Sequence, residues 1–436
     1  MPGPRLKPFV EEVFREALSA VDPERSVRAS LRLEGDILWV RGVPYRLLEN
    51  SRLVLLAVGK AALGMAAGAL ARLGARVDRC VVVPKAEGIQ SREFPGCRVI
   101  PGAHPIPDER SVEAGKALLK AVRGLTPDDL VLVLLSGGGS ALAEVPRSPA
   151  TLGDIVETTE RLLRAGADIW LLNSVRRRLS ALKGGRLAEA AAPARVVNLI
   201  LSDVLGNPLS VIASGPTVPP EHIVTDLPRV LQHMGVWDEL PERVRSLLVA
   251  PETTPQRFDN VLQSVVLADA AALVRAATEA CRRRGLPAVT CGARFTGEAR
   301  EFGRFWATLA RSVREEHQPW IPPIAIVAGG ELTVTVRGSG RGGRNTEMAL
   351  AAAVALEGSE RITVASLASD GDDGRSGAAG AVVDTVTTAV LRDRGIDPLR
   401  ALHENDSATA LAAADALVVT GLTGTNVNDL YLAIVE

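Results

Sequence analysis

The chain is short of lysine, aromatics, histidine and cysteine, and each shortage excludes something. Aromatic residues are 3% of 436, which leaves few platforms on which single-stranded bases could stack. The formal net charge of −1 gives no bulk attraction to nucleic acid or to anionic lipid, so neither is expected as a partner. No uninterrupted apolar run reaches 18 residues, so no membrane span is expected. The N-terminal stretch "MPGPRLKPFVEEVFREALSA" is amphipathic and lacks the apolar core of a secretion signal. Cys80, Cys97, Cys281 and Cys291 form no C-x-x-C pair, and they read as free thiols of a cytoplasmic protein. The five histidines show no H-x-x-x-H spacing, which argues against a zinc site. Lysine is scarcest relative to its partner: 6 residues against 44 arginines, the last at Lys183.

What is present is a rhythm. The runs at 52–59, 79–84, 130–137 and 194–203 are buried-strand patterns ending at Gly, Pro or Asp. Helical segments around 61–72 and 111–123 lie between the first three. That alternation predicts α/β architecture with a parallel sheet covered on both faces. The length predicts two domains. The Pro-rich stretches at 213–222 and 249–260 place the boundary near 250, giving domains 1–250 and 251–436. In such sheets ligands bind beyond the carboxyl ends of strands.

The strand-end loops carry the chemistry. "LVLVLLSGGGSAL" sets Ser136, Gly137, Gly138, Gly139 and Ser140 between a strand and a helix, a run of bare amides suited to an anion. Lys60 follows the strand at 52–59, without a P-loop around it. Asn173, Arg176, Ser180 and Lys183 share an arc of roughly 80° on one predicted helix, at ~100° per residue. That helix is expected to end at Gly184 and Gly185, and its stripe reads either as a solvated face or as one turned to an anion. Asp203 ends a strand and can hold Mg²⁺, act as a base, or cap a turn. "SDGDDG" offers Asp370 and Asp373 as further acids. "VRGSGRGGRNTE" places Arg341, Arg344 and Asn345 in a turn whose glycines literally spell G-x-G-x-x-G. The dinucleotide reading of that turn is weak, because no acid follows at the expected distance on a strand end. Phosphoryl transfer to a small acid fits the whole set, since that chemistry needs positioned donors and Mg²⁺ to spread charge.

Eight blocks in order, among them "VGKAA", "PGAHPIPDERS", "LLSGGGSAL", "NSVRRRLSALKGGRLA", "GGELTVTVRGSGRGGRNTE" and "TGTNVNDL", resemble the class II glycerate kinases with a C-terminal MOFRL domain. The resemblance implies two α/β domains, the first Rossmann-like, with the active site in the cleft between them. It implies ATP- and Mg²⁺-dependent phosphorylation of D-glycerate at the 2-hydroxyl, with a homodimer left open. Carried over, the catalytic groups are Lys60, Asp203 and Arg341. ATP phosphates fall to Ser136–Ser140 and to Lys183, Gly184 and Gly185. Substrate contacts fall to Asn173, Arg176, Glu331, Arg344, Asn345, Thr425 and Asn426, and the metal to Asp203, Asp370 or Asp373. Thr346 stands where the family pattern has Gln. Hydroxypyruvate reduction with NAD(P)H is the alternative.

Overall fold

The computed structural model describes residues 3–86, 94–221, 224–251 and 258–436. By internal contacts the chain forms two compact units, Pro23–Leu267 and Met1–Asp22 with Ala268–Glu436. The division expected at 250 keeps the first 22 residues with the N-terminal domain; the structure packs them with the residues after 267. The reason lies in α1 (Lys7–Ala20), whose Val10, Val13, Phe14 and Ala17 recur on one face and are all buried. That face lies on the helix Ala270–Arg283, and Glu16 pairs with Arg283 and Arg284 beside it. The irregular stretch 249–260 lies partly outside the described residues.

In the unit Pro23–Leu267, α2 (Pro23–Ser30) leads into a small antiparallel sheet of β1 (Leu31–Glu34), β2 (Ile37–Val40) and β3 (Val43–Arg46). The main sheet is built from β4 (Leu53–Val58), α3 (Ala62–Leu73), β5 (Arg79–Val83), β6 (Cys97–Val99), α4 (Glu109–Ala121) and β7 (Leu130–Leu135). A single turn α5 (Gly139–Leu142), then α6 (Leu152–Arg164), α7 (Ile169–Leu179) and α8 (Arg186–Ala191), precede β8 (Arg195–Leu201). Helices α9 (Leu227–His233) and α10 (Glu242–Val249) come before β9 (Val261–Ala268). The strand order is β6-β5-β4-β7-β8-β9, with every pair from β6 to β8 parallel. All six residues of β4 and of β7 are buried, as unbroken apolar strands covered on both faces must be. The chain leaves β4 toward β5 on one side and returns to β7 on the other. Their carboxyl ends therefore flank the point where strand order reverses, the place where open α/β sheets bind ligands.

The expectation of four free thiols is corrected. Cys80 and Cys97 are register partners on β5 and β6, with Cα atoms 4.5 Å apart, and form a disulfide. Pairing across neighbouring strands brings together cysteines that spacing alone leaves unrelated. Cys281 and Cys291 are free thiols.

The other unit continues with α11 (Ala270–Arg283), β10 (Ala288–Glu298), α12 (Ala299–Glu316), β11 (Ile324–Thr333), α13 (Arg344–Ala355), β12 (Ile362–Ala368) and β13 (Gly380–Asp384). Short helices α14 (Thr387–Asp393), α15 (Pro398–His403) and α16 (Ser407–Ala413) precede β14 (Leu417–Val418) and β15 (Asp429–Val435). The order is β10-β11-β15-β12-β13-β14; only β10 and β11 are parallel. The last strand, fully buried, thus lies in the middle of its sheet. Trp306 stacks on Phe302 at 5.5 Å over the buried Tyr431 of this strand. No helix of the described residues is long and apolar enough to cross a membrane.

Candidate active site

The loops after β4 and β7 are laced together by backbone. Ser136 N–H donates to the Val58 carbonyl at 2.9 Å, and Lys60 N–H to the Gly137 carbonyl at 2.9 Å. The buried Ser136 Oγ accepts from Ala61 N–H at 3.0 Å. So close an approach requires Gly59, whose φ is +130° and whose added methyl would lie 2.1 Å from Ser136 Oγ. Ser136 is thereby a strut between the two loops. Gly138 takes φ +81°, and a methyl there would meet His104 Nε2 and Lys60 Cγ, each at 3.3 Å. A methyl on Gly137 would fall 1.7 Å from Asp203 Oδ2. Lys60, His104, the glycine loop and Asp203 are therefore gathered around one point, each delivered by a different strand end.

Among the described residues the amides of Gly137, Gly138 and Gly139 donate to no protein acceptor, and Lys60 pairs with no acid. Three convergent N–H groups beside an unpaired ammonium attract an anion. Ser140 Oγ lies 2.7 Å from Ser214 Oγ, which donates to Asn173 Oδ1 at 2.9 Å. The Asn173 Nδ2 amide is buried without a partner, at a cost of about 1–3 kcal/mol. Arg176, one turn along α7, is half-buried, and desolvation holds its guanidinium below the ordinary range, with Glu144 opposing.

The expected stripe on one helix is corrected. Helix α7 ends at Leu179; Ser180 is extended and bridges Pro146, so Lys183 lies beyond the helix. Neither open reading of the stripe holds for Lys183, which is 1% exposed and ion-paired with the equally buried Glu144. Burial lowers its pKa, and Glu144 counteracts that. Gly184 and Gly185 are also placed otherwise than expected. Their amides donate to the Ser214 and Gly215 carbonyls at 3.0 and 2.7 Å, so they close a turn of the protein rather than face an anion.

The glycine-arginine turn of the second unit departs from the dinucleotide reading. Gly338 and Gly340 lie flat against the backbone of 404–406, where an added methyl would approach to 2.3 and 2.6 Å. Gly340 N–H donates to the Glu404 carbonyl and Arg341 N–H to Asp406 Oδ1, at 3.0 and 2.8 Å. The glycines serve backbone packing, and the amides are satisfied internally. At the start of α13, Asp373 accepts from Asn345 N–H and Thr346 N–H at 2.9 Å each, from Thr346 Oγ at 2.9 Å and from Asn345 Nδ2 at 3.3 Å. Burial pushes the Asp373 carboxyl up against these four bonds. With both oxygens committed to a helix cap, Asp373 is removed from the metal candidates.

Arg344 is likewise committed. It holds Asp429 through two bonds of 2.6 and 3.1 Å and Glu331 at 2.9 Å. Burial pushes the Asp429 carboxyl up to about 6. Glu331 also accepts from Asn428 at 3.2 Å. Asn345 is fully buried between Asp373 and Ser366, and Thr425 is buried against the Val21 carbonyl at 3.3 Å. Asn426 accepts from Asn428 N–H at 3.4 Å. By contrast, the Arg341 guanidinium is exposed, with only a 3.5 Å contact to the Ser376 carbonyl among the described residues. Asp370, half-buried, accepts from Asp372 N–H at 3.1 Å.

His104, Glu144 and Ser214 escaped the sequence reading. Glu144 had a signal: it is the lone acid in the apolar run "ALAEVP", four residues past Ser140. His104 sat in a quoted block with no partner in the sequence, and Ser214 is tied to Ser140 only through space.

Comparison with known proteins fits this geometry. A domain of unknown function, DUF4147, matches residues 9–249, and the MOFRL family matches 324–429. The chain is 39% identical to the D-glycerate 2-kinase of Thermotoga maritima over 99% of its own length and 98% of that protein's. The chain belongs to the glycerate 2-kinase family. The human member, named glycerate kinase, is 36% identical over 97% of this chain and 91% of its own. A protein of Agrobacterium vitis named putative hydroxypyruvate reductase is 39% identical over 97% and 92%. The crystal structure of the Thermotoga maritima glycerate kinase superposes with a TM-score of 0.88 at 38% identity, covering 99% of both chains. A Pyrococcus horikoshii structure gives 0.84 at 35%, covering both chains fully. Members of the glycerate 2-kinase family therefore share this whole architecture.

Proposed function

We propose that this family member is an ATP- and Mg²⁺-dependent D-glycerate 2-kinase of the cytoplasm. One observation carries the reading: a lysine and three glycine amides without partners among the described residues converge with a carboxylate at the ends of β4, β7 and β8. Phosphoryl transfer needs that combination, because its transition state spreads charge over oxygens that fixed donors must meet. In this reading the Gly137–Gly139 amides and Lys60 hold the phosphates. The glycerate 2-hydroxyl oxygen attacks the γ-phosphorus in line, its proton passes to Asp203, and ADP leaves. Within its own unit Arg341 is the arginine of the 337–344 turn left to meet an anion, since its guanidinium is uncommitted where that of Arg344 is not.

Mg²⁺ takes one or two carboxylates and fills its shell with phosphate oxygens and water, so a cluster of three acids is not required. Asp203, set against the glycine loop, fits that role. When bound, the ion neutralises charge developing on the transferring oxygens.

Hydroxypyruvate reduction has the name of a relative and the G-x-G-x-x-G spelling behind it. A dinucleotide pyrophosphate must sit on free amides at a helix N-terminus. The Asp373 carboxylate already occupies those of α13. Incubation with D-glycerate, ATP and Mg²⁺, followed by ³¹P NMR, tests the reading. A 2-phosphoglycerate resonance dependent on both substrates is expected. A 3-phosphoglycerate product would move the attacking oxygen, and NAD(P)H consumption with hydroxypyruvate alone would reverse the choice.

A further inference from the structure

We propose that Arg176 and Asn173 receive the single carboxylate of the substrate, and that Glu144 sets the charge of this receptor so that dianionic acids are rejected. The proposal rests on the kinase reading above. Asn173 is 6% exposed; its Oδ1 accepts from Ser214 Oγ, while Nδ2 is a buried donor with no acceptor among the described residues. Buried donors without acceptors are rare in native proteins and call for an explanation. This one lies one hydroxyl away from Ser140, at the end of the glycine loop. One helical turn on, Arg176 makes no hydrogen bond and no ion pair among the described residues. A planar, permanently charged fork beside an amide donor suits a carboxylate.

The charge balance singles out Glu144. It and Lys183 are each 1% exposed and bonded to one another, so together they add no net charge. Glu144 is also the acid that acts electrostatically on Arg176. The group therefore carries one net positive charge, which a monocarboxylate neutralises. A second carboxylate would be buried unpaired, a costly arrangement. The cation that could meet it, Lys183, is held by Glu144.

Calorimetric titration without nucleotide tests this, comparing D-glycerate with tartronate, which keeps the 2-hydroxyl and replaces the hydroxymethyl group with a carboxylate. The wild-type protein is expected to bind D-glycerate about 100-fold tighter or more, and Arg176→Met to lose that binding. Glu144→Gln, which leaves Lys183 uncompensated, should narrow the ratio by about tenfold. Lys183→Met should weaken D-glycerate, and the double variant Glu144→Gln/Lys183→Met should return the ratio toward wild type. If Glu144→Gln does not fold, the comparison of Lys183→Met with the double variant decides alone. Unaltered D-glycerate binding in Arg176→Met, or a ratio indifferent to charge in these variants, overturns the proposal while 2-phosphoglycerate formation keeps the kinase reading standing. Absence of both D-glycerate binding and turnover in the wild type would defeat the kinase reading, and this proposal with it.

Discussion

Asp373 offers a sharp choice between two roles, because the family resemblance pairs it with Asp370 as an acid while the structure makes it a helix cap. Replacing it with alanine removes an acceptor of four hydrogen bonds from a site 1% exposed. Thr346 Oγ keeps a 3.2 Å bond to the Gly343 carbonyl and the Asn345 side-chain amide keeps Asp429, so two donors are stranded: Asn345 N–H and Thr346 N–H. Loss of a cap costs about 0.5–2 kcal/mol, and each stranded buried donor about 1–3 kcal/mol more. Relief of the buried charge returns part of this, since burial raises the Asp373 pKa. The expected net loss is about 3 kcal/mol, a large fraction of the stability of a typical domain. Urea unfolding followed by circular dichroism should show a lower midpoint at unchanged slope for Asp373→Ala, and a smaller drop for Asp373→Asn, which keeps one acceptor. The reasoning would be refuted by an Asp373→Asn protein of wild-type stability whose only defect is a raised Mg²⁺ requirement.

Gly137→Ala forces its methyl onto Asp203 Oδ2, so turnover should fall at least ~100-fold while stability drops by only about 1–3 kcal/mol; steady-state kinetics and thermal melts read the two separately. Lys60→Met removes a cation that pairs with no acid among the described residues, so the melting temperature should hold within a few degrees while kcat falls ~100-fold or more. Asp429 gives a pH signature. Its folded pKa, about 6, lies above the value of an unfolded chain, so its contribution is fully present below pH ~4 and is lost as pH rises through 6. Stability should thus fall across that window by up to about 3 kcal/mol, and Asp429→Asn should flatten that part of the profile in denaturant titrations at each pH.

The parallel sheet was legible because strands buried on both faces must be uninterrupted apolar runs, and each such run marks its own end with Gly or Asp. Lys60, the Ser136–Ser140 loop and Asp203 follow those ends directly, and the structure brings them together. Gly338 and Gly340 misled because a glycine looks the same whether it clears space for a phosphate or for the backbone of 404–406. Lys183 and Glu144 lie 39 residues apart, and Cys80 and Cys97 lie 17 apart. Pairings of that kind are set by which strands and loops become neighbours, and local spacing carries no record of it. Helix α1 was recognised as amphipathic, but an apolar stripe does not name the surface it will cover.

That partnership bears on how the molecule is made. A ribosome emits α1 long before the helix that covers its stripe, α11, which begins only at Ala270. At ~5–20 residues per second the interval is on the order of 10–50 s. Throughout it Val10, Val13, Phe14 and Ala17 have no native surface to join, while Pro23–Leu267 emerges complete and can fold from contiguous chain. The nascent protein thus carries a sticky segment ahead of a finished neighbour. Binding of that segment by a chaperone, or its transient misdocking, is the step at which synthesis speed would govern yield.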